Sequence, residues 1–237
     1  SRFEAHGPEA TFEHALASTT DNYLAHSNLG KALADVGREP EAADHYAEAL
    51  RINPHYALAQ NNMGNVYAEQ GQYRDAEPYY RQALALRRNF SAHENADVAE
   101  SLENLASNLR MGGKPAEAEP MQREAIEMRK RLLGAEHAAV AWSIRNLAQI
   151  LGPQGKLAEV EALHREALAM RRKLLGEQHT DVADSLESMS WVLAKEGKLR
   201  DFNMNGTVCA AVAGATGALG ALCVILVRLR NTEGSEH

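Results

Sequence analysis

Apolar and polar positions along the chain alternate with the period of an α-helix, and glycines interrupt this pattern. In the stretch NNMGNVYAEQGQYRDAEPYY, from Asn61 to Tyr80, apolar residues recur every three or four positions on both sides of Gly71. This spacing is that of an amphipathic helix with one buried face. A glycine between two such segments is typical of a turn. The pattern therefore predicts two helices joined by a tight turn.

The helical pattern repeats along the chain with two different periods. Gly30 and Gly64 lie 34 residues apart, as do Tyr46 and Tyr80. From Gly71 onward the period is 42 residues. The later turn glycines of this second period are Gly113, Gly155 and Gly197. A helix pair of this size cannot bury its apolar face alone, so the repeats are expected to stack on one another.

These repeats resemble the tetratricopeptide repeat. Residues 8–90 resemble the 34-residue repeats of the O-GlcNAc transferase type. Residues 96–202 resemble the 42-residue repeats of kinesin light chains, with the motifs N-L-A, G-K and L-L-G-x-x-H. The resemblance implies an all-α fold, a helical-hairpin solenoid wound as a right-handed superhelix. The apolar tail after the repeats predicts a further, C-terminal apolar helix. In such a solenoid the first helices of the repeats line a concave groove.

The repeat periods divide the chain into seven predicted segments. These are a partial repeat with only its second helix at 1–22, repeats at 23–56, 57–95 (with a linker), 96–137 and 138–179, an incomplete repeat at 180–202, and an apolar tail at 203–237.

Asparagines recur at one position of the first helix, although asparagine is a poor helix former. The column consists of Asn28, Asn62, Asn104 and Asn146. The resemblance implies that such a column forms an asparagine ladder along the groove. A carboxamide both donates and accepts hydrogen bonds, so it suits the backbone of an extended peptide. Alternatively, these amides cap helices or bridge neighbouring repeats, and both roles can coexist.

Other side chains are expected to surround this column and select the ligand. Helical spacing places near the groove Asn61, Asn65, Lys31, Arg110, Arg145 and Trp142. The cations Lys31, Arg110 and Arg145 are candidates for holding an acidic group. Trp142 is a candidate anchor for an apolar side chain, and its alternative role is to pack against the preceding long helix.

Little in the sequence points to catalysis, cofactors or nucleic acid. No nucleophile, phosphate-loop or dinucleotide motif appears in a suitable context, and the ten histidines form no metal-ligand motif, so they are expected to be structural. The net charge of −7 argues against nucleic-acid binding. Arginines at 42-residue steps (Arg87, Arg129 and Arg171) lie near ends of second helices, where a cation favours the helix dipole.

The tail departs from the repeat pattern. Residues 207–227 carry no charge over 21 residues, which is long enough for a bilayer-spanning helix. The tail thus predicts a C-terminal membrane anchor on an otherwise cytoplasmic protein. Two alternatives remain open: a helix that caps the last repeat, or an error in the gene sequence.

The sequence predicts a non-enzymatic adaptor that binds a protein or peptide partner, with no cofactor, metal or small-molecule substrate. The alternative is a recognition module of a larger enzyme. The stretch FEHALASTTDNYLAHSNLG resembles the repeat-bearing tail of some bacterial membrane glycosyltransferases.

Overall fold

The computed structural model describes residues 22–90 and 95–195. Every regular element in these two ranges is helical, with nine α-helices, one short 3-10 turn and no strand. The all-α prediction is therefore confirmed for this part of the chain. The helices are α1 Tyr23–Asp35, α2 Glu39–Ile52, α3 Ala57–Glu69, α4 Tyr73–Phe90, α5 Ala96–Met111, α6 Pro115–Leu133, α7 Ala138–Leu151, α8 Leu157–Leu175 and α9 Thr180–Lys195, with the 3-10 turn at Gly152–Gln154.

Three features predicted from the sequence lie outside the described ranges. They are the partial repeat at 1–22 (apart from Asn22), the turn at Gly197 and the apolar tail at 203–237. No helix within 22–90 or 95–195 is long and apolar enough to cross a bilayer.

The turn between the two helices of a repeat uses a left-handed glycine, as the sequence pattern predicts. Gly71 has φ of 75° and donates its backbone N–H to the carbonyl of Ala68 at 2.9 Å. A residue with a Cβ is strained in this conformation, which explains the choice of glycine. The same conformation occurs at Gly37, Gly113 and Gly155.

The two helices of a short repeat approach closely where a glycine faces a tyrosine ring. A Cβ atom added at Gly64 would lie 2.9 Å from Cε1 of Tyr80, and one added at Gly30 would lie 2.8 Å from Cε1 of Tyr46. Only glycine therefore fits against these rings without displacing an atom. In the 42-residue repeats the same two columns hold Ala106 with Gln122 and Ala148 with His164.

The described residues divide between Met121 and Gln122 into two compact units, each with its own core. A core cluster of the first unit contains Leu29, Leu33, Ala42, Tyr46, Met63 and Val66. The core of the second unit contains Ile126, Val140, Ala141, Ile144, Leu147, Ala148, Leu151, Val160, Ala167, Met170 and Val192. In both units these side chains come from consecutive helices, so each repeat depends on its neighbour for burial.

An arginine near the end of a second helix joins it to the first helix of the next repeat. The Nη1 atom of Arg87 in α4 donates to the carbonyl of Asp97 at 2.8 Å and to Oγ of Ser101 at 2.7 Å, both in α5. Arg171 makes the equivalent contacts with Asp181 and Ser185. The helix dipole alone therefore does not explain these arginines, because they also hold adjacent repeats together.

Candidate functional site

The four asparagines of the column lie on α1, α3, α5 and α7 in different surroundings. Asn28 is exposed and Asn146 is half-buried, and neither side chain bonds to another residue of the described ranges. The side chain of Asn62 lies close to Tyr46, whose pKa burial raises to about 12. The Nδ2 atom of Asn62 is shielded from solvent and has no hydrogen-bond partner. Asn28 and Asn146 are therefore the more accessible of these three amides.

Asn104 bridges two neighbouring repeats. Its Nδ2 atom donates to Oδ1 of Asn61 at 2.9 Å, and Asn61 is only 3% exposed. This contact is the alternative role that the sequence left open for the column. Oδ1 of Asn104 is not used by this bond, so the two roles are compatible. Peptide binding by Asn61 and Asn104 stays a prediction.

A pocket of about 410 Å³ in the first unit lies beside this bridge. It contains three predicted site residues, Asn65, Asn104 and Arg110. The Tyr80 hydroxyl donates to Oδ1 of Asn65 at 2.7 Å, which leaves Nδ2 of Asn65 as an unused donor. Burial, with a smaller effect of Glu69, raises the pKa of Tyr80 and keeps this hydroxyl protonated. The pocket as a whole is lined by Asn65, Ala68, Glu69, Tyr73, Tyr80, Asn104, Ser107, Asn108, Arg110 and Met111.

Asn108 in this pocket was not predicted from the sequence. It is 4% exposed, and its Nδ2 atom donates to the carbonyl of Tyr73 at 2.9 Å, while Oδ1 is buried without a partner. The sequence does contain a clue to this residue. The equivalent helical position holds the apolar residues Val66 and Ile150 in the neighbouring repeats, so a polar residue there is unusual.

Several polar groups of this pocket are unused. Within the described ranges, the side chains of Glu69, Ser107 and Arg110 have no hydrogen-bond or ion-pair partner. Unpaired polar groups favour a ligand that supplies partners for them, because leaving such groups unpaired on binding is costly. The pocket thus offers hydrogen-bond and charge partners to the polar groups of a ligand.

A second pocket of about 410 Å³ lies in the second unit and combines apolar and charged walls. It brings together the predicted residues Trp142 and Arg145, and Trp142 is 46% exposed. The side chain of Arg145 has no hydrogen-bond or ion-pair partner in the described ranges, and its Nε atom is buried. The other lining residues are Ala138, Ala139, Arg171, Leu174, Leu175, Asp181 and Asp184.

The charge around Arg145 is set by buried neighbours. Burial, together with the smaller effects of the Arg145 and Arg171 charges, lowers the pKa of His164 to about 4, so this imidazole is neutral at pH 7. Burial also lowers the pKa of Arg171, whose charge Asp181 and Asp184 favour. Arg145 forms no ion pair with a carboxylate in the described ranges, so its positive charge is available to a ligand in this pocket.

The remaining predicted residue, Lys31, is engaged on the surface. Its Nζ atom forms an exposed ion pair with Asp35 at 2.9 Å, one helical turn away. Exposed pairs of this kind contribute little and break readily, so Lys31 stays a predicted peptide contact.

The repeated histidines of the L-L-G-x-x-H motif have a structural role. Nδ1 of His137 accepts from the backbone N–H of Ala139 at 3.1 Å, and Nδ1 of His179 accepts from that of Asp181 at 3.2 Å. Each imidazole thereby satisfies a free N–H group at a helix start. No group of three metal-ligating residues occurs in the part of the chain that the structure describes.

Comparisons with known proteins identify the repeat. A family profile described as a tetratricopeptide repeat matches residues 21–89, 55–131, 97–173 and 140–201. No curated protein sequence matches the chain.

Solved structures share the fold at low sequence identity. BtubC (BKLC) from P. vanneervenii has a TM-score of 0.69 at 20% identity, covering 97% of this chain and 89% of that chain. A Podosopora anserina putative kinesin light chain with nearly identical TPR-like repeats has a TM-score of 0.67 at 18% identity, covering 76% and 89%. YrrB, described as a TPR protein with an unusual peptide-binding site, has a TM-score of 0.64 at 18% identity, covering 90% and 98%.

Proposed function

Because the chain belongs to the tetratricopeptide repeat family, we propose that it is a non-enzymatic scaffold that binds an extended peptide of a partner protein along its first helices. The pocket of the first unit carries this proposal. It exposes amide, hydroxyl and charged groups that have no partner in the described ranges. The similarity in fold to a protein described by its peptide-binding site adds support.

The chemistry of the pocket suits a peptide backbone. An extended chain presents N–H and C=O groups that are not paired within the chain itself. Nδ2 of Asn65 offers a donor to a carbonyl, and Oδ1 of Asn104 offers an acceptor to an N–H. Asn28 and Asn146 extend the same donor and acceptor set in their own repeats. Hydrogen bonds of this kind give affinity without strong selection of sequence.

Selection of the ligand would come from side chains beside these amides. Arg110 in the first pocket and Arg145 in the second are suited to an acidic group, and Trp142 is suited to an apolar side chain. Lys31 would contribute after leaving Asp35.

We expect Asn65→Ala and Asn104→Ala each to weaken peptide binding about tenfold, because each removes one hydrogen-bonding group from a desolvated contact. A peptide selected from a random phage-displayed library on the full chain would be titrated by fluorescence anisotropy. Asn89→Ala, on the exposed end of α4, is the matched control and should bind normally. Melting curves of all three variants separate binding from folding. Normal binding with a large drop in Tm would show that these amides serve only the fold.

The membrane anchor is proposed on the sequence of residues 207–227 alone. We expect the full chain to float with phospholipid vesicles in a density gradient, and a chain ending at residue 202 to stay in the dense fraction. A full chain that is monodisperse without detergent and does not float would refute the anchor. The same pair of chains also tests the capping alternative, which predicts that the shorter chain melts at lower temperature.

A further inference from the structure

Two histidines that are distant in sequence meet between the helices of the first described repeat. His26 lies in α1 and His45 in α2, and their Nδ1 atoms are 3.0 Å apart. The ring centroids are 5.3 Å apart and the ring planes are inclined by 38°. Both side chains are half-buried. The pair lies outside both pockets, so the peptide-binding proposal makes no use of it.

The contact itself indicates that the pair shares one proton. Two nitrogens at this distance form a hydrogen bond only if one ring carries hydrogen on Nδ1 and the other does not. The pKa of His26 is lowered by its burial and by the nearby His45, while the charge of Glu48 acts to raise it. Two neutral imidazoles with facing Nδ1 atoms meet this requirement. Neutral imidazole nitrogen is the form that binds metal ions.

The spacing of the two nitrogens is close to that of two ligands on one metal ion. Imidazole nitrogens bound at about 2.0–2.1 Å with a tetrahedral angle are roughly 3.3 Å apart. To reach this geometry the two nitrogens need to move apart by only about 0.3 Å, and both rings need to turn so that their Nδ1 lone pairs point at the ion. We propose that His26 and His45 bind a divalent transition-metal ion between their Nδ1 atoms, joining α1 to α2.

Protons balance without a net release. In the free pair, the donor ring carries hydrogen on Nδ1 and the acceptor ring carries it on Nε2. When the metal binds both Nδ1 atoms, the donor ring loses its Nδ1 proton to water and gains one on Nε2. Both rings then remain neutral and ligate through Nδ1, with Nε2–H directed away from the metal.

The donor set favours zinc, nickel or copper over magnesium or calcium, because imidazole is a poor ligand for the harder ions. Within the described ranges no third ligand completes the site. Glu48 follows His45 by three residues, but its carboxylate is held by Arg51 at 2.7 and 2.9 Å. Water would therefore fill the other coordination positions, and the site would be weaker than a structural zinc site.

The test is a zinc titration of the full chain, prepared without a histidine tag and stripped of metal with a chelator. Isothermal titration calorimetry at pH 7.5 should show one site that is lost or weakened about tenfold or more in His26→Gln and in His45→Gln. His55→Gln, which alters an exposed histidine outside the pair, should leave that site unchanged. Copper(II) electron paramagnetic resonance should show two coupled nitrogens in the parent protein and one in either variant.

Melting curves without metal are recorded first, since His26 also packs between helices. Zinc should raise the Tm of the parent protein and of His55→Gln, but not that of the other two variants. If the parent takes up no more zinc than the double variant His26→Gln/His45→Gln, the contact is only a hydrogen bond and the proposal fails. Equal affinity in the parent and the single variants would refute it as well.

Discussion

Acidification from neutral pH to about pH 4 is expected to lower the free energy of unfolding by up to about 3 kcal/mol through His164 alone. This imidazole is 6% exposed, and mainly its burial lowers its pKa from the usual 6.5 to about 4. The positive charges of Arg145 and Arg171 act in the same direction. His164 is therefore one of the few groups in the described ranges that titrates far from its usual pH.

The sign follows from the protons bound by each state. Between pH 6.5 and pH 4 the unfolded chain binds a proton on this imidazole that the folded chain does not. Stability therefore falls as the pH falls through this window. Above it, both states are neutral at this position and the contribution is constant. Each unit of difference in pKa corresponds to about 1.4 kcal/mol.

His164→Gln isolates this contribution, because glutamine fills the same column at Gln122 of the preceding repeat. Gln122 is buried there and donates its Nε2–H to the carbonyl of Ser143 at 2.9 Å. Urea unfolding at several pH values should give a shallower decline for His164→Gln than for the parent. His55→Gln, which changes an exposed imidazole, should follow the parent curve. Parallel curves for the parent and His164→Gln would show that His164 is not held neutral.

The helices and turns could be predicted from the sequence because they depend on local spacing. Gly71 illustrates this: a glycine between two amphipathic segments predicts a left-handed turn, and its φ of 75° confirms it. The pairing of a glycine with a tyrosine ring also follows from the repeat, since Gly64 precedes Tyr80 by the same number of residues as Gly30 precedes Tyr46. These features need only the period of the helix and the order of residue sizes.

The partners in contacts between helices could not be predicted in the same way. The Asn61–Asn104 bridge and the His26–His45 pair each join residues of two different helices. Their formation depends on how those helices are rotated and on the rotamers chosen, neither of which the spacing of residues specifies. The arginine Arg87 shows the same limit, because its position near a helix end suggested the dipole and not the carbonyl of the next repeat.

We expect Gly64→Ala to lower the free energy of unfolding by about 1–3 kcal/mol, although alanine is the better helix former. The added Cβ would lie 2.9–3.0 Å from three atoms of the Tyr80 ring. Tyr80 is 4% exposed, and its hydroxyl is bonded to Asn65, so the ring has little freedom to move aside. The cost of overpacking should therefore exceed the gain in helix propensity. Urea unfolding of the two proteins measures the difference.

A double-mutant cycle with Tyr80→Gln identifies the cause. All three atoms close to the new Cβ belong to the Tyr80 side chain, so shortening that side chain removes the clash. In the Tyr80→Gln background, Gly64→Ala should become neutral or stabilising by up to about 1 kcal/mol, because only the helix-propensity term remains. Tyr80→Phe keeps the ring and should keep the cost. At Gly30 the rescue by Tyr46→Gln should be incomplete, since a Cβ there also lies 3.1 Å from the carbonyl of Ala42. If Gly64→Ala cost the same in the parent protein and in the Tyr80→Gln background, the distance between the two helices, rather than the ring, would be what requires glycine.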